Sequence, residues 1–119
     1  MRFKLVIFFL AGLLANPIVA RADDRLPERI DQLINAVGES NCEFVRNGKT
    51  YSAAESVSHI TKKYDYYKND IDSIDRFIEL SASKSMISGK PYKILCQGAA
   101  TELSSTWLSK KAVQIGVGE

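Results

Sequence analysis

Residues 42–48, Cys-Glu-Phe-Val-Arg-Asn-Gly, contain a short strand, a turn and one of the two cysteines on which the fold depends. Residues 42–46 alternate in polarity, which is typical of a strand with one buried face. Asn47-Gly48 then predicts a tight turn, because both residues tolerate positive φ. Residues 92–96, Tyr-Lys-Ile-Leu-Cys, form a second predicted strand. If the two strands run antiparallel, Cys42 meets Cys96 and a disulfide links the ribbon.

The N-terminal residues predict export. Arg2 and Lys4 precede an apolar run over residues 5–15, and Ala20-Arg21-Ala22 places small residues where a signal peptidase reads them. As a helix the run would rise only about 16 Å, against a hydrocarbon core of roughly 30 Å. We therefore expect a signal peptide over residues 1–22, a periplasmic protein, and no membrane anchor after cleavage.

Residues 23–119 are expected to form a single small helical domain. At about 97 residues it is short for a hydrophobic core without covalent support. Both cysteines lie in it, and an even number in an exported domain predicts a structural Cys42–Cys96 disulfide. With one histidine and no Cys-x-x-Cys pair, the sequence predicts no metal site, and no motif calls for a cofactor.

Net charge argues against a nucleic-acid partner. Removing Arg2, Lys4 and Arg21 from the sixteen Lys and Arg residues leaves thirteen, against fourteen Asp and Glu residues, so the mature charge is about −1. Binding to phosphate backbones requires a clustered basic face, for which this balance gives no support.

Apolar periodicity predicts four helices around the ribbon. The first begins near Pro27, and the second begins at the capping box Ser52-Ala53-Ala54-Glu55 and runs towards Tyr67 or beyond. The third covers about residues 71–81, after a bend or a break at Asn69-Asp70. The fourth follows a cap near Thr101 and directs four apolar side chains inward: Leu103, Trp107, Leu108 and Val113. The predicted fold class is mainly α with a small β-ribbon (α+β): about four helices, a two-stranded antiparallel ribbon and one disulfide.

Several blocks together resemble the YfeK-like family of small bacterial periplasmic proteins. They span nearly all of residues 23–119, and the Phe-Val-Arg-Asn-Gly and Ser-Gly-x-x-Tyr blocks are distinctive. The resemblance implies a secreted helical domain with an Arg-Asn-Gly turn, one helix histidine and a Ser-Gly-x-x-Tyr loop, and it brings no activity with it. The matching residues are Cys42, Phe44-Val45-Arg46-Asn47-Gly48, Tyr51, Ser58-His59, Phe77-Ile78, Ile87-Ser88-Gly89-Lys90-Pro91-Tyr92 and Trp107-Leu108.

Five residues make up the predicted binding surface: Arg46, His59, Ser88, Lys90 and Tyr92. Arg46 could hold an oxyanion in bidentate fashion, or pair with a nearby acid and stabilise the turn. Residues 88–92 could enter a partner's cleft, or form a loop-closing turn in which Tyr92 packs on the ribbon.

His59 has a glutamate, Glu55, four residues before it. This pair could be a general base oriented by a carboxylate, or a weak pair on a solvated helix face. Because Ser56 and Ser58 lie on the same helix and are poorly aimed at the imidazole, no catalytic residue is assigned.

The sequence therefore predicts an exported periplasmic protein that acts as a non-catalytic binding module, with an envelope protein as its partner. Three alternatives stay open. One is an inhibitor or immunity protein of a cell-wall hydrolase, since Ser-Gly loops followed by tyrosine occur in exported inhibitors of such enzymes. Another is a small hydrolase that uses His59 and Glu55. The third is an envelope scaffold with an apolar patch at Trp107 and Leu108.

Overall fold

The computed structural model describes residues 25–118, so the predicted signal peptide lies outside the described residues. The described part is an α+β domain of four α-helices and a four-stranded antiparallel sheet, which confirms the predicted class. The helices are α1 (Leu26–Glu39), α2 (Ala53–Tyr67), α3 (Ile74–Ser81) and α4 (Ser104–Gln114). The strands are β1 (Glu43–Arg46), β2 (Lys49–Tyr51), β3 (Lys93–Leu95) and β4 (Glu102–Leu103).

The sheet has four strands in the order β2-β1-β3-β4, so the predicted two-stranded ribbon is wrong in strand number. Asn47 and Gly48 have φ of 51° and 81°, which reverses the chain tightly enough for β2 to pair back on β1. At the other edge, two residues of β4 pair with β3. Both added strands are too short to show the alternation that identifies a strand in a sequence.

The predicted disulfide is confirmed. Glu43 lies opposite Leu95, which brings the flanking cysteines together with a Cα–Cα distance of 4.4 Å between Cys42 and Cys96. Phe44 and Ile94, also opposite each other, are buried on the inner face of the sheet. The bond thus closes the central strand pair at the edge of the hydrophobic core.

Helices cover this inner face. α1 buries an apolar stripe of Ile30, Leu33, Ile34 and Val37, and α3 buries Ile74, Phe77 and Ile78. The capping box of α2 is confirmed, because the Glu55 amide donates to Ser52 Oγ at 3.1 Å and the Ser52 amide donates to Glu55 Oε1 at 2.8 Å. A 3₁₀ turn, Lys68–Asp70, followed by extended backbone at Ile71, makes the junction between α2 and α3 a break.

The fourth helix differs from its prediction. It begins at Ser104, because Leu103 belongs to β4 and is 42% exposed. This start places Leu108 and Ala112 inward, and Val113 is 72% exposed. Leu108 is buried, so it cannot contribute to an exposed apolar patch with Trp107.

Residues 83–92 form an ordered loop rather than a free connection. The Ser85 amide donates to the Lys90 carbonyl at 3.0 Å, and the Tyr92 amide donates to the Ser83 carbonyl at 2.9 Å. Gly89, with φ of 77°, lies in the turn that these two hydrogen bonds close. Among residues 25–118, no helix has the length and apolar character needed to cross a membrane.

Candidate functional site

An open cleft of about 490 Å³ lies between α2, the β1–β2 turn and the 83–92 loop. We call it the basic cleft. Its polar wall consists of Arg46, His59, Lys62 and Lys63, with Tyr92 below them. Its apolar rim consists of Tyr66, Met86 and Ile87. No carboxylate occurs among the described residues that line it.

Arg46 is held by aromatic rings. It follows Phe44 by two residues in β1 and therefore points to the same face of the sheet, where Tyr51 lies opposite Phe44. The Arg46 guanidinium carbon is 3.9 Å from the centre of the Tyr51 ring and 5.9 Å from that of Tyr92. Such contacts orient a cation without neutralising it.

Arg46 Nε is buried and has no hydrogen-bond partner among the described residues. The described ion pairs involve other cations, and within residues 25–118 the Arg46 charge affects a carboxylate only at longer range, as a minor contribution to the lowered pKa of Glu55. A buried guanidinium N–H without a partner carries a free-energy cost.

His59, Tyr92 and Lys63 form a hydrogen-bonded chain. Lys63 Nζ lies 3.3 Å from Tyr92 Oη and donates to it, because an ammonium group can only donate. The Tyr92 hydroxyl also forms a hydrogen bond with His59 Nε2, at 3.2 Å. Lys63 also donates to the Lys84 carbonyl at 2.9 Å, so one residue of α2 fixes both the tyrosine and the loop.

The basic environment keeps the imidazole neutral. Burial, followed by the positive charges of Arg46, Lys63 and Lys62, lowers the pKa of His59 to about 4. Burial and the Arg46 charge also lower the pKa of Lys63 from its usual value. Burial raises the pKa of Tyr92, against an opposing effect of Arg46. His59 is therefore an uncharged hydrogen-bonding group at neutral pH.

The Glu55 carboxylate serves the helix cap. Its Oε1 accepts from the Ser52 amide, and this contact is the main cause that lowers the pKa of Glu55. Within the described residues, the hydrogen-bond partner of the imidazole is Tyr92, and no Glu55–His59 hydrogen bond or ion pair is found. Ser56 is buried and donates to the Ser52 carbonyl at 2.9 Å.

Three of the five predicted surface residues meet at the cleft: Arg46, His59 and Tyr92. Tyr92 is only 5% exposed, so it forms the floor of the cleft, with its hydroxyl bonded to His59 and Lys63. Ser88 Oγ donates to Asn47 Oδ1 at 2.8 Å and thereby ties the loop to the β1–β2 turn. Lys90 lines a separate depression beside Gly48 and Pro91.

Sequence reasoning missed the apolar rim and the role of Lys63. Lys63 lies four residues after His59, a spacing that places both on one helix face and could have indicated it. Met86 and Ile87 are an apolar pair in a serine-rich loop, and Ile87 is 99% exposed. An exposed apolar pair of this kind is a weak signal of binding.

The described residues contain no group of three or more metal-ligating side chains. What they define is a small disulfide-linked α+β domain with one basic, aromatic-lined cleft. The chain belongs to the family of unknown function DUF5329, which matches residues 24–115. It is 38% identical over 90 residues to the uncharacterized protein YfeK of Salmonella typhimurium (strain LT2), and the match covers 75% of each chain. No solved structure matches.

Proposed function

We propose that this protein is an exported, non-catalytic binding module whose basic cleft accepts a negatively charged group of its partner. The observation that carries the proposal is the convergence of Arg46, Lys62 and Lys63 without a carboxylate among the described lining residues. Cations that lie together are mutually destabilising, and an anion between them removes that cost.

The charge pattern of the domain supports this reading. Its described ion pairs lie outside the cleft: Arg25–Glu28, Asp65–Lys68, Arg76–Glu79 and Glu102–Lys110. The mature chain carries a net charge of about −1, so the cleft is a local positive field on a nearly neutral domain. Such a field attracts an acidic group selectively.

The cleft is also preorganised for binding. Tyr51 orients Arg46, and the bonds to Tyr92 and Lys84 orient Lys63. These two bonds use two of the three ammonium hydrogens of Lys63 and leave the third for an acceptor. Donors that are already fixed lose little entropy when a charge-assisted hydrogen bond forms.

Binding explains the contacts of His59 better than hydrolysis does. Its Nε2 is hydrogen-bonded to the Tyr92 hydroxyl, and Glu55 caps the helix instead of orienting the imidazole. A general base needs an accessible nitrogen and a reactive group within reach. We therefore assign His59 to the positioning of Tyr92.

Export is part of the proposal, supported by the signal-like N-terminus and by a disulfide, a bond that persists in oxidising compartments. We further propose an envelope protein as the partner. The inhibitor or immunity version gains support from the rigid 83–92 loop beside the cleft, because a rigid loop binds with little ordering cost.

Two measurements test the proposal. Intact mass of protein recovered from a periplasmic extract should correspond to a chain that begins at Asp23 and contains the disulfide. A chain retained in the cytoplasm with residues 1–22 attached would contradict export.

Binding is tested by ¹H–¹⁵N NMR titration of that protein with inorganic phosphate and with acetate at constant ionic strength. We expect saturable shifts at amides of the basic cleft, with affinity at least tenfold lower in Arg46→Gln. The control is Lys93→Gln, which removes an exposed cation outside the cleft. No binding, or equal effects of the two substitutions, would contradict the proposal.

A further inference from the structure

We propose that the group bound in the basic cleft is an amphiphilic anion: one oxyanion held by Arg46 and Lys63, joined to an apolar body that lies against Met86 and Ile87. This inference rests on the anion-binding part of the proposed function and specifies a small amphiphile or a lipid, rather than a protein side chain, as the ligand of the cleft. It follows from the apolar rim of the cleft.

The rim is unusually apolar for an exposed surface. Seven large hydrophobic side chains of the described residues are exposed, and three of them line this one cleft. Tyr66 is 81% exposed, Met86 47% and Ile87 99%. Single exposed apolar residues are ordinary, but several around one concave site mark a surface that another molecule covers.

The exposure of Ile87 is built into the loop. Ser85 Oγ accepts from the amides of Ile87 at 3.2 Å and of Ser88 at 3.1 Å, and the Gly89 amide donates to the Ser85 carbonyl at 2.9 Å. Ser88 then fastens this turn to Asn47. The backbone therefore holds the isoleucine at the lip, where a ligand in the cleft can contact it.

Size separates this ligand from a bare ion. The cleft measures about 490 Å³, within the range of roughly 300–1,000 Å³ that suits a small organic ligand. A phosphate or carboxylate group bound by Arg46 and Lys63 would fill only part of this volume. Tyr66, Tyr67 and the rim residues of the loop also line the cleft, which favours an apolar body for the rest of the ligand.

The same chemistry has two sources: a soluble alkyl or aryl carboxylate or phosphate ester, and an anionic lipid headgroup with the start of its chain. The experiment uses the full chain, expressed with its own N-terminus and purified from the periplasm. Its probes are octanoate and octyl phosphate below their micelle concentrations, acetate, neutral octanamide, and vesicles of phosphatidylglycerol or phosphatidylcholine.

In calorimetric titrations, octanoate or octyl phosphate should bind at least tenfold more tightly than acetate and than octanamide. Ile87→Ser should weaken octanoate binding about tenfold and leave acetate binding unchanged, whereas Arg46→Gln should weaken both. Val113→Ser is the matched control, because Val113 is 72% exposed and lies on α4, outside the cleft. The two main substitutions affect groups at the cleft surface, and circular dichroism verifies that each variant is folded.

Capture on phosphatidylglycerol but not phosphatidylcholine vesicles, with competition by octanoate, would support the inference and identify a lipid as the source. Octanoate binding without vesicle capture would support it and identify a soluble amphiphile. Equal affinities for acetate and octanoate would overturn the inference and leave anion binding intact. Binding of octanamide as tight as that of octanoate, or no binding of any anion, would overturn the proposed function together with the inference.

Discussion

His59 should titrate far below the ordinary histidine range, and this property tests the electrostatics of the basic cleft directly. Its pKa of about 4 arises first from burial and then from Arg46, Lys63 and Lys62, which face it from β1 and from its own helix, while Tyr92 faces it from the loop. Substitution Arg46→Gln removes the second cause and leaves burial. The pKa should therefore rise from about 4 but stay below 6.5.

The same shift predicts how stability depends on pH. Between pH 6.5 and 4 the unfolded chain protonates its histidine and the folded protein does not, so stability is fully present above pH 6.5 and is lost as pH falls towards 4. The difference between a pKa of 6.5 and one of about 4 corresponds to at most about 3 kcal/mol. Because the ring is only partly buried, solvent screening reduces this, and we expect a loss of about 1–2 kcal/mol.

The chain has one histidine, so its ring resonances can be followed without assignment of others between pH 3 and 8. NMR titration of wild type, Arg46→Gln and Lys93→Gln measures the pKa, and urea denaturation at pH 7 and pH 4.5 measures stability. His59→Gln controls for carboxylates that also protonate in this range: its stability should fall less than that of wild type. A wild-type pKa near 6.5, or an identical pH dependence in His59→Gln, would contradict the depressed pKa of His59.

Three further predictions concern the fold. Replacing both Cys42 and Cys96 with alanine should lower the free energy of unfolding, measured by urea denaturation, by about 4 kcal/mol. The reason is that the disulfide joins residues separated by 54 positions in the sequence. A loss below about 1 kcal/mol would contradict this. Gly48→Ala should lower the free energy of unfolding by about 1–2 kcal/mol, because φ at this position is +81°. The cost is conformational and not steric, since no atom lies within 4 Å of an added Cβ. An unchanged denaturation midpoint would show that the turn relaxes. Phe77→Ala should lower the free energy of unfolding by about 3–5 kcal/mol, because Phe77 is 1% exposed. It should also alter the near-ultraviolet circular dichroism of Tyr64, whose ring contacts Phe77 edge-on at 5.7 Å. Wild-type stability and an unchanged spectrum would mean that the core repacks.

Most of the helical framework could be predicted, because it depends on local signals. The stripe of α1 spans eight residues, from Ile30 to Val37, and the capping box of α2 spans four, so both depend only on neighbours in sequence. The start of α4 could not be predicted, because the local sequence is compatible with Leu103 in either a helix or a strand. Pairing with β3 decides between them.

The candidate site was predicted only in part. Arg46 and His59 could be selected from residue type and position, but the burial of Tyr92 depends on how the 83–92 loop folds over α2. The position of Lys90 away from the cleft depends on the same loop. Helical phase identifies the face on which a side chain lies, and it contains no information about the element that covers that face.

By itself the sequence determined the α+β class, the central strand pair, the turn at Asn47-Gly48 and the single possible disulfide. These follow from periodicity, from turn stereochemistry and from the presence of only two cysteines. Tertiary structure alone decided the two edge strands, the neutral hydrogen-bonded His59 and the meeting of Arg46 with Lys63 at an apolar rim. Their physical reason is that hydrogen bonding, desolvation and charge interactions depend on distances between segments far apart in the chain.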